Sequence, residues 1–310
     1  MKMCHLRNLL LIVFFILIPI NVSAKELIPM GQSIGIHLKL PFVYVAHDIL
    51  LPNGEWLKQG DKVLAIDGKE VSHIKQIGEV KEKSELRIER ANKEKILNLS
   101  SDEIHNMMPF LKDETDGIGT LTFLDPATNE YGALGHQIVD SALTMPPPFI
   151  DGAIFLASIT QVKKSEPGQP GYKISVVDKE QKRLGNVLFN NVYGVFGVWE
   201  QGLPQSLRQP IEIMRDSEIK RGEAQLLTAI EGEKVEAFTI TIDKIDGANI
   251  VFRVTDPKLL RKTGGILQGM SGSPIIQNDR FVGAVTHMFV EHPAKGAALS
   301  IGEMLKKSPK

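Results

Sequence analysis

The chain has 310 residues, a length that suggests two domains. Hydrophobic residues make up 43% of it and charged residues 24%, which excludes a largely disordered chain. Thirty-six basic residues against 37 acidic ones give a formal net charge of −1, so no basic excess favours a nucleic-acid partner. The single cysteine, Cys4, lies in the N-terminal leader, so the rest of the chain offers no disulfide, thiolate metal site or cysteine nucleophile.

Residues 1–24 have the layout of a secretory signal. A short basic segment precedes an apolar run over residues 9–20 (LLLIVFFILIPI), and the small residues Val22 and Ala24 stand before Lys25. The run is shorter than the roughly 20 residues that a stable membrane span needs. We therefore predict a signal peptide or N-terminal membrane leader and an exported protein.

Residues 30–100 are predicted to form a small β-rich domain. Within the segment GDKVLAIDGKEV, Val63, Leu64 and Ile66 supply a buried strand, and Asp67-Gly68 is a tight-turn pair. Residues 86–89 and 96–99 alternate in polarity on either side of a short turn, which predicts a hairpin.

This pattern resembles a PDZ domain. By that resemblance Ile34, Gly35 and Ile36 would lie in the loop that holds a peptide C-terminus while the peptide, or part of this same chain, adds a strand to the sheet edge. The alternative is a plain sheet module that spaces the leader from the rest of the chain.

Residues 106–310 are predicted to form a second, all-β domain. A polar stretch at 100–106 separates it from the first, and 112–116 is expected to be a charged loop. Short apolar runs divided by Gly, Pro and Asn predict many strands, as in a barrel or sandwich. These runs are 120–124, 153–162, 173–177, 192–199, 237–242, 249–254, 274–277 and 281–286.

The sharpest motif is Gly269-Met270-Ser271-Gly272-Ser273-Pro274, followed by two apolar strands. A serine nucleophile needs a tight glycine-flanked turn, because its Oγ must project while nearby backbone amides converge on one point. The arrangement resembles the nucleophile segment of chymotrypsin-like serine proteases, which are double β-barrels. That resemblance implies an oxyanion hole formed by the amides of Gly269 and Ser271.

Two further residues complete a catalytic hypothesis. His136 follows the small-residue segment Tyr131–Gly135, and histidine is the side chain best suited to proton transfer near neutral pH. Asp256 stands 15 residues before Ser271, where it could orient the imidazole. The order His136, Asp256, Ser271 is chymotrypsin-like, but the short interval between Asp256 and Ser271 is not.

The segments DGIGTLTFLDPATNEYGALGHQI, TDPKLLRKTGGILQGMSGSPIIQ and FVGAVTHMFV resemble the stage IV sporulation protein B family of endospore-forming bacteria, across residues 30–300. The resemblance implies a Ser-His-Asp peptidase with His136, Asp256 and Ser271 as catalytic residues. It also implies export across the forespore inner membrane into the space between forespore and mother cell. There the family cleaves a regulator of a membrane-embedded metalloprotease, and so releases a late sigma factor.

Several alternatives stay open on the residues alone. Ser273 could replace Ser271 as the nucleophile, and Asp140 or Asp151 could orient His136 in place of Asp256. His287 is expected to be a core or substrate-wall histidine rather than the base. The remaining histidines outside the leader show no metal-like spacing: His37, His47, His73, His105 and His292. No metal-binding, P-loop or dinucleotide-binding motif is present, so no cofactor or metal is predicted.

The sequence thus predicts an exported serine endopeptidase with an N-terminal PDZ-like domain. The rival interpretation is a catalytically inactive exported scaffold, in which both domains bind membrane partners. A lipase or esterase is disfavoured, because α/β-hydrolases place the histidine after the serine.

Overall fold

The computed structural model describes residues 25–77, 82–143, 145–177, 183–202 and 208–306. The predicted leader at 1–24 lies outside these residues. As predicted, the fold is mainly β. Within the described residues, no helix is long and apolar enough to cross a membrane.

Residues 26–198 contribute 15 strands to the described structure. They are β1 (Glu26–Pro29), β2 (Ser33–Val45), β3 (Ile49–Leu50), β4 (Trp56–Leu57), β5 (Lys62–Ile66), β6 (Lys69–Glu70), β7 (Lys83–Arg90), β8 (Lys93–Ser100), β9 (Leu111–Leu124), β10 (Glu130–Ala133), β11 (Asp151–Lys163), β12 (Tyr172–Val177), β13 (Gly185–Asn186), β14 (Phe189–Asn191) and β15 (Gly194–Val198).

Residues 211–300 add seven strands, and three short α-helices occur in the described residues. The strands are β16 (Ile211–Glu212), β17 (Gly222–Ala229), β18 (Val235–Asp246), β19 (Asn249–Val254), β20 (Pro274–Gln277), β21 (Arg280–Phe289) and β22 (His292–Ser300). The helices are α1 (Ser101–Met107), α2 (Pro257–Thr263) and α3 (Ile301–Lys306). Each apolar run predicted to be a strand coincides with or overlaps one of these strands.

The C-terminal strands close into a barrel in the order β17-β18-β19-β22-β21-β20. Its interior is filled by apolar side chains that alternate along the strands, including Leu226, Phe238, Ile240 and Phe252. Fully buried side chains of this kind each contribute roughly 1.5–3 kcal/mol to stability. The predicted barrel is therefore confirmed for this half of the peptidase region.

The N-terminal strands form a large open sheet that runs β14-β15-β10-β9-β2-β5-β7-β8. At its centre, the first part of β2 pairs with β9 on one edge and with β11 on the other. A second apolar core lies here and draws on residues from Ile28 to Trp199. A third cluster, which includes Phe123, Phe196, Phe281 and Met304, joins this sheet to the closed barrel and α3.

The far end of the sheet is a compact unit that we call the small module, residues 43–111. Its own core draws on β2, β5, β7, β8, α1 and the start of β9. As predicted, β7 and β8 form a hairpin, and Asp67 and Gly68 adopt positive φ in a tight turn.

The structure shifts the predicted boundary between the two domains. Residues 33–39 of β2 pair with β9 and β11, so they belong to the peptidase sheet and not to a domain at 30–100. The polar stretch at 100–106 is not a linker, because Ser100 and Glu103 form a capping box that begins α1. The predicted charged loop at 112–116 is part of β9, whose charged residues pair with β2.

Candidate functional site

The predicted nucleophile lies in a tight turn that precedes β20. Gly272 has φ +92°, and a Cβ atom on it would meet the carbonyl oxygen of Thr120 and lie 2.5 Å from the amide nitrogen of Leu134. Only glycine fits this position, because both the backbone conformation and the space exclude a side chain. The turn is therefore pressed directly against β9 and the end of β10.

Hydrogen bonds tie Ser271 to two strands. Its carbonyl oxygen accepts from the amide of Thr120 at 2.9 Å, and its Oγ donates to the carbonyl of Thr286 at 3.0 Å. The side chain is partly exposed, as a nucleophile must be to reach substrate. The bonds to β9 and β21 fix the turn between the open sheet and the closed barrel.

Backbone amides around Ser271 divide into two groups. Those of Met270, Gly272 and Ser273 donate to backbone carbonyls. For the amides of Gly269 and Ser271, no acceptor occurs among the described residues. Two available amides on either side of one peptide unit are what an oxyanion hole requires. The arrangement is compatible with the predicted hole.

Ser273 is unsuited to be the nucleophile. Its side chain is fully buried, and its Oγ faces Thr120 Oγ1 at 3.5 Å. A substrate carbonyl cannot approach a hydroxyl that solvent does not reach. Of the two serines considered from the sequence, the structure favours Ser271.

His136 lies in a loop directly after β10, and this loop packs against the serine turn. Leu134 contacts Gly272, and Gly135 lies against Thr286, whose carbonyl holds the Ser271 hydroxyl. The half-buried imidazole places Nδ1 2.8 Å from the carbonyl oxygen of Gln137. No hydrogen bond between His136 and Ser271 occurs in the described chain; free enzymes often show such looser geometry before substrate binds.

Asp256 has a local structural role in this structure, and its catalytic role stays a prediction. It is the N-cap of α2: Oδ1 accepts from the amides of Lys258 and Leu259, and Oδ2 accepts from the amide of Thr239 at 3.3 Å. Both carboxylate oxygens are thus used locally, and in this structure Asp256 does not contact His136. The order of residues along the chain suggested a triad, but the local sequence Asp-Pro instead begins a helix.

Neither alternative aspartate reaches the histidine. Asp140 is nearly buried and accepts from Thr115 Oγ1 and from the amide of Ala142, both at 2.8 Å. Burial opposes ionisation of Asp140, but these hydrogen bonds prevail and lower the pKa of its carboxyl. Asp151 is exposed and lies 3.7 Å from Lys39. Within the described residues, His136 has no carboxylate partner.

His287 is not a core residue. Its side chain is exposed on β21, with Nδ1 3.0 Å from Thr286 Oγ1. It lies on the same strand as Thr286, whose carbonyl accepts from Ser271, and the expectation of a substrate-wall histidine stays a prediction.

The assignment of Ile34, Gly35 and Ile36 to a PDZ-like peptide loop is wrong. In β2 these residues pair with Gly119, Ile118 and Gly117 of β9 on one side. On the other side they pair with Leu156, Phe155 and Ile154 of β11. Both edges of the strand are occupied, so no peptide can add to it.

Sequence reasoning missed a buried lysine beneath the serine turn. Lys173 is 6% exposed, and its chain packs against Gly269. Its Nζ contacts Ser33 Oγ and Thr228 Oγ1, both at 3.1 Å. Burial lowers the pKa of Lys173 to about 7. Nothing in the run KISVV signals this burial, because the lysine partners lie far away in the chain.

A second missed group lies on the paired strands β2 and β9. His37, Glu114 and Asp116 each offer a ligand atom, all within 4.8 Å of one another. His37 Nδ1 lies 2.8 Å from Asp116, and its Nε2 lies 3.3 Å from Glu114. These contacts with His37 account for the grouping, and both carboxylate side chains are about half exposed.

A cleft of about 630 Å³ separates the small module from the loop at 145–148. Its walls carry Lys58, Asp61, Arg90 and three consecutive prolines. Asp61 and Arg90 are paired at 2.6 Å within it. None of the predicted catalytic residues lines this cleft.

Comparisons with known proteins agree with this geometry at the level of family. The family described as "SpoIVB peptidase S55" matches residues 103–305. No curated protein matches the chain significantly.

Solved structures similar to this chain include the Rv3671c protease of M. tuberculosis in its active form, at 14% identity and a TM-score of 0.35. That alignment covers 62% of this chain and 73% of the other. The inactive form of the same protease aligns at 14% identity and a TM-score of 0.33, covering 62% of this chain and 82% of that one.

Proposed function

The chain belongs to the SpoIVB peptidase S55 family and is a serine peptidase, and from that premise we propose that it is an endopeptidase that uses Ser271 as nucleophile and His136 as general base. The observation that carries this assignment is the turn around Ser271. It presents a partly exposed hydroxyl between two available amides and packs against the loop that carries His136.

The proposed chemistry follows from these positions. Ser271 Oγ leaves the carbonyl of Thr286 and attacks the carbonyl carbon of a substrate peptide bond, while His136 Nε2 takes its proton. The amides of Gly269 and Ser271 donate to the oxyanion that forms. His136 then gives the proton to the leaving amine, and water hydrolyses the acyl-enzyme by the same route.

We extend the proposal to the biological role that the family name suggests. The protein would be exported by its leader across the forespore inner membrane, to act between forespore and mother cell. Its substrate there would be a membrane-associated regulator of a membrane-embedded metalloprotease, whose activation releases a late sigma factor. Self-cleavage would accompany this activity, and no cofactor or nucleic acid takes part.

The small module would select the substrate. The motif in β5 and the turn after it still resemble a PDZ domain, although residues 34–36 cannot be its ligand loop. A ligand of this kind would be an extended peptide C-terminus, supplied by the substrate or by the chain itself.

The rival proposal is a catalytically inactive scaffold. It takes its support from the hydroxyl of Ser271, which donates to Thr286 and not to His136. The two available amides favour the enzyme, because a scaffold has no use for an oxyanion site.

The test uses purified residues 25–310, a fluorophosphonate probe for active-site serines, and a peptide reporter. We expect the wild type to be labelled and to hydrolyse the reporter. Ser271→Ala should fold normally, resist labelling and lose roughly 10⁶-fold in kcat. Ser273→Ala is the matched control, and it should keep its labelling. A wild type that neither reacts nor hydrolyses would establish the scaffold.

The finer role needs a second measurement with the same preparations. The candidate membrane regulator is incubated with wild type and with Ser271→Ala, and its fragments are sequenced. Cleavage by the wild type alone supports the signalling role. Reporter hydrolysis without cleavage of the regulator would support the peptidase activity but rule out the regulator as its substrate.

A further inference from the structure

The segment that leads from α2 into the serine turn, residues 264–269, lies against the hairpin that connects β11 with β12. The carbonyl of Gly171 accepts from the amide of Gln268 at 2.9 Å, and the amide of Lys173 donates to the carbonyl of Gln268 at 3.2 Å. Tyr172 and Gln268 thus form a parallel bridge. A hairpin of the open sheet therefore holds the residue that comes just before the proposed oxyanion hole.

These two bonds decide which way the Gln268–Gly269 peptide faces. In a planar trans peptide the carbonyl and the following N–H point in opposite directions, so the amide of Gly269 points away from the backbone N–H of Lys173. If this peptide turned over, the two N–H groups would face each other, and the Lys173 amide would lose its acceptor. The Gly269 amide has no acceptor among the described residues and is one of the two donors proposed for the oxyanion. The hairpin thus favours the orientation that leaves this donor available to substrate.

Ser165 joins the hairpin to the same segment through its side chain. It is 4% exposed, and its Oγ accepts from the amide of Gly171 at 2.8 Å and donates to the carbonyl of Ile266 at 2.7 Å. Its own amide donates to the carbonyl of Thr263 at 2.8 Å. A hydroxyl donates and accepts at once, which no apolar side chain can do. Ser165 therefore sets the spacing between the hairpin and the segment that carries Gln268.

The fit between the hairpin and residues 264–269 is close. A Cβ atom on Gly171 would meet the carbonyl oxygen of Lys163, and one on Gly264 would meet the carbonyl oxygen of Ser165. The bonds to Gln268 are all between backbone groups. Substitution of Ser165 therefore loosens the contact without touching those bonds directly.

We propose that Ser165 is a positioning residue, which locks the β11–β12 hairpin onto residues 264–269 and so keeps the amide of Gly269 aimed at the oxyanion. The inference rests on the proposed function for its catalytic meaning, but the state of the Lys173 amide can be measured separately. It leaves the assignment of nucleophile, general base and orienting carboxylate unchanged. Its effect should be confined to the transition state, because the oxyanion forms only there.

The kinetic test compares two variants of the same shape, Ser165→Thr and Ser165→Val, in residues 25–310. Threonine keeps the hydroxyl and valine replaces it with a methyl group, so any crowding by the branched side chain is common to both. Relative to Ser165→Thr, Ser165→Val should lower kcat roughly 10-fold or more with little change in KM, toward the roughly 10²–10³-fold loss that removal of an oxyanion donor causes. Affinity for a peptide aldehyde, whose adduct with Ser271 places an oxygen in the hole, should fall by the same factor as kcat/KM.

Hydrogen exchange at Lys173 gives a readout that does not depend on activity. Tyr172 is the only tyrosine followed by a lysine, so ¹³C-carbonyl tyrosine combined with ¹⁵N-lysine selects the Lys173 amide alone. We expect slow exchange in wild type and in Ser165→Thr, and exchange at least about tenfold faster in Ser165→Val. Thr160→Val is the matched control, because Thr160 Oγ1 donates to the carbonyl of Ile174 at 3.1 Å on the same hairpin. It should change neither exchange nor kcat.

The outcomes separate this inference from the proposed function. Equal kcat in folded Ser165→Thr and Ser165→Val would overturn the inference and leave the peptidase in place, as would a fast-exchanging Lys173 amide in wild type. If Ser165→Val does not fold, Ser165→Cys takes its place against wild type, because a thiol is only a weak donor and acceptor. A wild type that shows the expected exchange pattern but hydrolyses nothing would reject the proposed function and retain the Ser165 contact.

Discussion

The two halves of the candidate site are held by different means. The turn around Ser271 is fixed mainly by backbone: its amides and carbonyls bond to β9 and β21, Gly272 leaves no room for a side chain, and one side-chain bond is added by Thr120 Oγ1 to the Gly269 carbonyl. The loop around His136 has one backbone bond to β9, from the amide of Leu134 to the carbonyl of Thr120, but it also depends on side chains, through one ring nitrogen and the amide of Asn190.

This difference implies two kinds of sensitivity. Backbone contacts in a crowded turn cannot be altered without moving the strands behind it, so substitutions there act on fold and activity together. Side-chain contacts in the histidine loop can be removed one at a time, so substitutions there should act on catalysis in graded steps. The predictions that follow test this contrast, from the largest expected effect to the smallest.

Gly272→Ala should be the most damaging. The added Cβ meets the Thr120 carbonyl and lies 2.5 Å from Leu134 N, at a φ of +92°. Overpacking and backbone strain together predict a loss of about 2–4 kcal/mol in the free energy of unfolding, and loss of activity.

Gly135→Ala is the matched comparison for Gly272→Ala. Gly135 also has positive φ, but its Cβ would lie 3.2 Å or more from its neighbours. We therefore expect a smaller loss of stability, measured for both variants by urea unfolding. Equal losses would mean that backbone conformation alone matters, and that the serine turn is no more crowded than the histidine loop.

Lys173 is buried between the serine turn, β2 and β17, and its burial predicts a pH-dependent stability. Burial lowers its pKa to about 7, so between pH 7 and about 10.5 the unfolded chain binds a proton that the folded chain does not. Stability due to this residue should therefore rise with pH across that window, by up to several kcal/mol. Lys173→Met should remove this part of the rise and stabilise the protein most at and below neutral pH.

The measurement is the free energy of unfolding of wild type and variant at several pH values from 6 to 10. Lys164→Met, at an exposed lysine in the neighbouring loop, is the control and should run parallel to wild type. A constant difference between Lys173→Met and wild type would show that the ammonium is not desolvated in the folded protein.

Substitutions of Asp256 should have the smallest effect on stability and kcat, and they test whether Asp256 orients His136. As an N-cap it should tolerate Asn, which caps equally well, while Asp256→Ala should cost about 1 kcal/mol of stability. Neither variant should change kcat by more than about twofold. A triad aspartate would instead make Asp256→Asn lose on the order of 10⁴-fold in kcat, which would return Asp256 to the mechanism.

The features predicted correctly from the sequence are local ones. Each apolar run that suggested a strand overlaps one, and the turn at Ser271 has the strained glycine geometry that its motif requires. These depend on side-chain alternation and on glycine spacing, which are legible within a few residues.

The largest error concerns contacts between distant segments, whereas the supposed linker at 100–106 is a local capping box that the spacing of Ser100 and Glu103 could have indicated. Residues 34–36 read as an open loop because their partners in β9 and β11 lie far along the chain. The helix-capping role of Asp256 could also be predicted locally, from its Asp-Pro sequence, while its catalytic role stays a prediction. Asn190 carries no motif, and the peptide that it holds lies 52 residues away.

The pairing of β2 with β9 determines which segments of this protein can be deleted. The two strands pair as one long hairpin: Lys39 lies opposite Glu114, and the pairing resumes beyond that point between Tyr44 and Lys112. The small module is therefore an insertion at the tip of a hairpin, with entry and exit side by side. Replacing residues 40–113 with a two-residue turn would close the hairpin at Lys39 and Glu114. A chain that begins at residue 106 would instead lack β2, a central strand of the sheet. We therefore expect the sheet to tolerate deletion of the small module, but not deletion of residues 33–39 of β2, which form part of the sheet.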